Sequence, residues 1–144
     1  MTKASQKSCL IALACSAPLA LATPSMAAMI NLKANLKASS EATPNESKGT
    51  GSVTTTFDTD SNKLSWNGSV SGLSGPVTAA HFHSADVGKN GPVTVPIIGA
   101  DNGSFEGSAI LTDTQAEDLM AGKWYVNIHT AAHKAGEIRG QVTR

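Results

Sequence analysis

The chain has 144 residues, 11 of them basic and 11 acidic, with four histidines and two cysteines. That length is one ordinary domain's worth, so a second folded domain is not expected. The balanced, interspersed charge gives no electrostatic case for nucleic acid or an anionic membrane as a partner.

Lys3 and Lys7 precede an uncharged apolar run from Cys9 to Ala22, which gives way to Pro24-Ser25-Met26-Ala27. A basic start, a short apolar stretch and small residues at Ser25 and Ala27 predict a secretory signal peptide over residues 1–27, cut after Ala27 with Ala28 as a neighbouring option. The apolar run is too short to span a bilayer comfortably, and no transmembrane segment is expected in the mature chain. A lipoprotein cut before Cys15 would need small residues where Ala12-Leu13-Ala14 stands, and that string fits the requirement badly. Export predicts a periplasmic or secreted product whose partner, of unknown identity, is itself extracellular or periplasmic. Both cysteines, Cys9 and Cys15, lie in the leader, so the remaining domain over 28–144 should have no disulfide and must be held by packing.

The mature chain opens on an alternating run, Met29-Ile30-Asn31-Leu32-Lys33-Ala34-Asn35-Leu36, that reads as a strand. A polar segment with Glu41, Pro44, Asn45 and Glu46 follows and reads as a loop. Short runs rich in Val, Thr and Ser over 51–58, 63–70 and 77–84 are separated by Gly, Asp, Asn or Pro. Their spacing predicts an all-β fold, an antiparallel β-sandwich or barrel. In the second run Leu64, Trp66 and Gly68 alternate with Ser65, Asn67 and Ser69, which places Trp66 in the core. The string Gly-Pro-Val-Thr occurs at 75–78 and again at 91–94, each time leading from a turn into a β-branched run. Pro96 has no amide hydrogen and so marks an edge or a strand end.

One short helix is expected between Ser108 and Gly122. Thr112 has Gln115 three residues on, the pattern of a capping box, and Gly122 offers a stop. Ala116, Leu119 and Met120 would face the body. Asp113, Glu117 and Asp118 read as solvated face residues and not as catalytic acids.

The chemistry-bearing residues fall on the later strands. Ala80 and Phe82 point one way and His81 and His83 the other; Trp124, Val126 and Ile128 share a face opposite Tyr125, Asn127 and His129. Ile138, Gly140 and Val142 oppose Glu137, Arg139 and Gln141. If these strands adjoin, His81, His83, Asn127, His129, Glu137, Arg139 and Gln141 form a polar patch on the outside of the fold. Two histidines at spacing two stand about 6 to 7 Å apart, which suits imidazoles converging on one metal, with His129 as third ligand. A histidine-only site of this kind suits copper(II) or zinc. The alternative is that each ring is locked by hydrogen bonds and serves structure or recognition. No serine stands in a nucleophile-elbow context, the glycines form no phosphate loop and no helix carries a metalloprotease motif, so no catalytic residue is nominated. Glu137 and Arg139 share a face and could pair with each other or with neighbouring strands.

Ala80-His81-Phe82-His83, Gly91-Pro92-Val93, Leu119 with Ala121-Gly122-Lys123, Tyr125-Val126-Asn127-Ile128-His129-Thr130 and Gly136-Glu137-Ile138-Arg139-Gly140-Gln141 together resemble the recurring pattern of the CHRD domain, a module of chordin and of many bacterial secreted proteins. The resemblance covers nearly all of the mature chain. It implies an immunoglobulin-like β-sandwich or barrel with no settled activity. His133 stands where such sequences usually carry asparagine, which makes it an accessory candidate. A weaker similarity is to copper-zinc superoxide dismutases, in which His81, His83 and His129 would correspond to copper ligands. Here no loop bears the histidines and aspartate for zinc, no cysteine pair forms the disulfide, and no bridging histidine is evident. In those enzymes an arginine follows a late glycine by two places, whereas Arg139 follows Gly136 by three, an offset that reverses its face on a regular strand. The leading expectation is thus an exported single-domain binding or structural module. The alternative is a copper- or zinc-binding protein, and a dismutase-like enzyme comes third.

Overall fold

The computed structural model describes residues 26–144, so the leader expected over 1–27 lies, except for its last two residues, outside the described residues. Eight strands form one antiparallel sheet: β1 (Met29–Lys37), β2 (Thr50–Asp58), β3 (Lys63–Ser71), β4 (Val77–Ser84), β5 (Val93–Pro96), β6 (Ser104–Ile110), β7 (Trp124–Thr130) and β8 (Ile138–Gln141). Their order is β5-β4-β7-β8-β1-β2-β3-β6, and the sheet rolls into a nearly closed barrel. Of the sandwich and the barrel that the strand spacing allows, the chain adopts the barrel.

Two four-stranded halves make up this sheet. β1, β2 and β3 pair along nine residues each, from Met29↔Asp58 to Lys37↔Thr50 and from Thr50↔Ser71 to Asp58↔Lys63. The halves meet at a sparse seam, where β1 and β8 share the register pair Lys37↔Arg139 and, beyond it, a bridge between Lys33 and Thr143. That bridge is closed by two backbone hydrogen bonds of 2.8 and 2.9 Å.

The alternation of apolar and polar residues produces the closed shape, because each inward face needs cover and the sheet supplies it by curling on itself. Leu64, Phe82, Trp124, Val126, Ile128 and Ile138 are fully buried. Each such side chain contributes roughly 1.5–3 kcal/mol by leaving water. Trp66 from β3 meets Phe82 from β4 edge to face at 5.2 Å, which joins the two halves across the core. Space for the indole comes from its cross-strand partner Gly107, where a Cβ would stand 2.5 Å from the ring.

The helix α1 (Asp113–Met120) is where its caps require it. The Thr112 hydroxyl accepts from the Gln115 amide and the Gln115 side chain accepts from the Thr112 amide, while Gly122 takes a left-handed φ of 75° just beyond. Ala116 and Leu119 are buried and Met120 packs at the margin of the core. Both Gly-Pro-Val-Thr strings behave alike: Val77 opens β4 and Val93 opens β5. Pro96 ends β5, which is an edge of the sheet. No helix among the described residues is long and apolar enough to cross a membrane.

One pattern expectation does not hold. β7 is buried almost throughout, including Tyr125 and Asn127 on its outward face. The outward face of β7 and β8 is roofed by two loops, residues 38–49 and 85–92, which return over the barrel wall.

Candidate metal centre

β4 and β7 are hydrogen-bonded neighbours, with Ala79 opposite His129, His81 opposite Asn127 and His83 opposite Tyr125. This register brings the three histidines of the two strands onto one outward patch. Ring centroids are 5.6 Å apart for His81 and His83, 5.4 Å for His81 and His129, and 6.3 Å for His83 and His129. One ligand nitrogen from each lies within 4.8 Å of the others, and all three residues are half-buried. Two nitrogens bound at about 2.0–2.1 Å to one tetrahedral ion stand roughly 3.4 Å apart, so side-chain rotation alone can close this cluster on an ion.

The hydrogen bonds fix which nitrogens are free. His83 Nδ1 lies 3.0 Å from the Gly91 carbonyl oxygen, and His129 Nδ1 lies 3.0 Å from that of Lys134. A carbonyl only accepts, so each Nδ1 is the protonated nitrogen and each Nε2 keeps its lone pair. The two Nε2 atoms and His81 Nδ1 are buried and have no hydrogen-bond partner among the described residues. Burial is the main force holding the His81 imidazole below its ordinary pKa, and proximity to His129 adds to it. His83 is lowered chiefly by burial, against the Gly91 carbonyl, with His81, His129 and Arg139 contributing. Both shifts favour the neutral ring that a metal requires.

The remaining residues of the expected polar patch are placed differently. Glu137 and Arg139 are buried, at 0% and 1% exposure, and form no surface. The Glu137 carboxylate accepts from the hydroxyls of Ser47, Ser74 and Thr130 and from the Ser74 amide. Burial by itself would raise its pKa, but these donors outweigh it and bring the group down to about 2. Arg139 reaches the other way, donating to the Lys89 carbonyl at 2.7 Å and to Asn90 Oδ1 at 3.4 Å. Glu137 and Arg139 therefore bind separate neighbours and do not pair. Asn127 is buried and donates to Glu41 Oε1, and Gln141 donates to the carbonyls of Ala85 and Gly122. His133 sits in the turn after β7, where its backbone pairs with Thr130, and it does not join the cluster.

Sequence reading passed over Tyr125, Glu41, Ser47 and Ser74. The Tyr125 ring stacks on His83 at 4.8 Å and 4°, and its hydroxyl accepts from the Gly91 amide. Glu41, in the loop after β1, has its carboxyl raised to about 7, mainly by burial and against the Asn127 hydrogen bond and the Arg139 charge. Alternation assigns Tyr125 to the polar face without revealing the stack. The other three act across separations of 56 to 90 residues, for which a local pattern carries no signal.

A family model, that of the CHRD domain, matches residues 32–142, from within β1 to the residue after β8. The chain belongs to the CHRD-domain family. The CHRD match takes in all three histidines of the cluster together with Tyr125, Asn127, Glu137 and Arg139. No curated protein and no solved structure matches this CHRD chain significantly.

Proposed function

We propose that this CHRD chain is an exported single-domain module that binds one copper or zinc ion through His81, His83 and His129. The observation that carries this reading is that three imidazoles converge, one ligand nitrogen of each within 4.8 Å of the others, and that each ring has a buried nitrogen with no hydrogen-bond partner among the described residues, two of the rings with tautomers set by backbone carbonyls. An orphaned buried acceptor costs about 1–3 kcal/mol, and a shared cation would recover that cost at all three positions. Three protein ligands leave a further coordination position for water or an external donor. The leader expected from Lys3, Lys7 and the apolar run supports export to a periplasm or beyond. Handling of the ion, as storage, delivery or sensing, is the function assigned, and no group is assigned to catalysis.

Metal analysis and titration of the purified domain with Zn²⁺ and Cu²⁺ test the reading, in the parent and after His81→Ala and His83→Ala. One ion per chain is expected in the parent, with that binding lost in the double variant. Absence of binding in the parent, or stoichiometric binding retained without both rings, would refute it.

A further inference from the structure

The histidine cluster has a buried cation as its neighbour and no anion among its candidate ligands. His83 and Tyr125 lie parallel, and Arg139 places its Cζ 3.4 Å from the centroid of the same tyrosine ring. β4 flanks β7 on one side and β8 on the other, so the imidazole and the guanidinium approach Tyr125 from opposite sides. One aromatic ring separates a candidate ligand from a fixed positive charge.

That charge is poorly compensated. Both hydrogen-bond acceptors of Arg139, the Lys89 carbonyl and Asn90 Oδ1, are neutral. Tyr125 and Glu41 are the acidic groups that act on it, and the carboxyl of Glu41 is itself pushed up to about 7, so it is only partly ionised near neutral pH. Guanidinium stays protonated throughout the accessible range. Among the described residues no carboxylate or thiolate joins the three histidines as a ligand.

Neutral ligands leave an ion's full charge on the site, and repulsion from Arg139 scales with that charge. A divalent ion therefore loses twice what a monovalent one loses. Copper(II) also wants a tetragonal set of donors, and this chain supplies three. Resting on the metal-binding reading above, we propose that the site of His81, His83 and His129 selects monovalent copper, with Arg139, acting through Tyr125 and His83, as the positioning residue that sets the preference.

Anaerobic competition of the domain against a chromophoric copper(I) chelator, combined with voltammetry of the copper-loaded domain, tests this. The parent should retain copper(I), with a reduction potential above that of aqueous copper. Arg139→Gln should lower the copper(I) to copper(II) affinity ratio by roughly tenfold, from a Coulomb interaction across one ring, and tenfold is about 59 mV for one electron. Arg139→Lys, which keeps the charge, should stay near the parent. A parent potential at or below the aqueous couple would overturn the proposal, and so would an Arg139→Gln potential equal to the parent's or an Arg139→Lys potential equal to that of Arg139→Gln. If Arg139→Gln does not fold, the parent's own potential decides. Binding of Zn²⁺ and Cu²⁺ at the histidines with no retention of copper(I) would reject the selectivity and leave the site standing; no binding of any ion would reject both.

Discussion

Asn127 and Glu41, 86 residues apart in the chain, are joined by a 2.7 Å hydrogen bond in which the amide nitrogen of Asn127 donates to the carboxyl. This contact fastens the loop after β1 onto the outward face of β7, and it makes the roof over the barrel wall sensitive to the protonation of one buried acid.

Glu41 is therefore expected to shape the pH dependence of stability. Its folded pKa, about 7, lies above the ordinary 4.5, so the folded state holds a proton that the unfolded chain releases first. Its contribution is fully present below pH 4.5 and is lost as pH rises to about 7. Glu41→Gln, which keeps the acceptor without the charge, should remove this decline and stabilise the domain at pH 8 by about 1–3 kcal/mol. Denaturant unfolding of parent and variant at pH 4.5, 6 and 8 measures it.

Glu137 should behave in the opposite sense. Its folded pKa of about 2 lies below its ordinary value, so its stabilisation is complete above pH 4.5 and disappears as pH falls towards 2. Glu137→Gln places an amide where only acceptors are wanted, opposite the donors of Ser47, Ser74 and Thr130. We expect a loss of about 2–4 kcal/mol at pH 7 that shrinks in acid, followed by chemical denaturation across pH.

Gly136 is held at φ 137°, and a Cβ there would stand 2.6 Å from both side-chain polar atoms of Asn127 and 2.8 Å from Glu41 Oε1. Gly136→Ala should therefore strain the backbone and break the Asn127–Glu41 contact together. A destabilisation of about 2–3 kcal/mol is expected from the two effects. Faster amide exchange at Asn127 and in residues 38–45 would distinguish roof detachment from a general loosening.

Phe82 touches Trp66 at 5.2 Å and Trp124 at 5.7 Å with no exposure to solvent. Phe82→Ala should cost about 3–5 kcal/mol, while His81→Ala and His83→Ala on the same strand should each cost less than 1 kcal/mol without metal. Thermal unfolding of the three variants in chelator compares them, and an equal loss at His83 would contradict the assigned faces.

The strands other than β6 (Ser104–Ile110), which no sequence pattern singled out, were legible together with the helix and its caps because each is written locally. Leu64-Ser65-Trp66 states an inward and an outward face within three residues, and Thr112 with Gln115 states a helix start within four. The same parity rule placed His81, His83 and His129 on one side, and the β4–β7 register brought them together. It failed for Arg139 and Glu137, since alternation says which side of the sheet a residue takes and nothing about whether another layer covers that side. Residues 38–49 and 85–92 supply that layer with carbonyls, hydroxyls and Glu41, so a charged outward residue could be buried without opposing the period of its strand. Only the full topology carries this information.

The seam between β1 and β8 has a further consequence. The first and last strands lie antiparallel and side by side, with Lys33 bridged to Thr143. Arg144 thus comes to the side of Asn31 and Lys33. A short linker from Arg144 to Met29 would make the backbone circular, and new ends could be cut at the exposed turn between β2 and β3 without removing a strand. Connectivity along the chain and closure of the wall are separable in this barrel, which makes it suited to circular permutation.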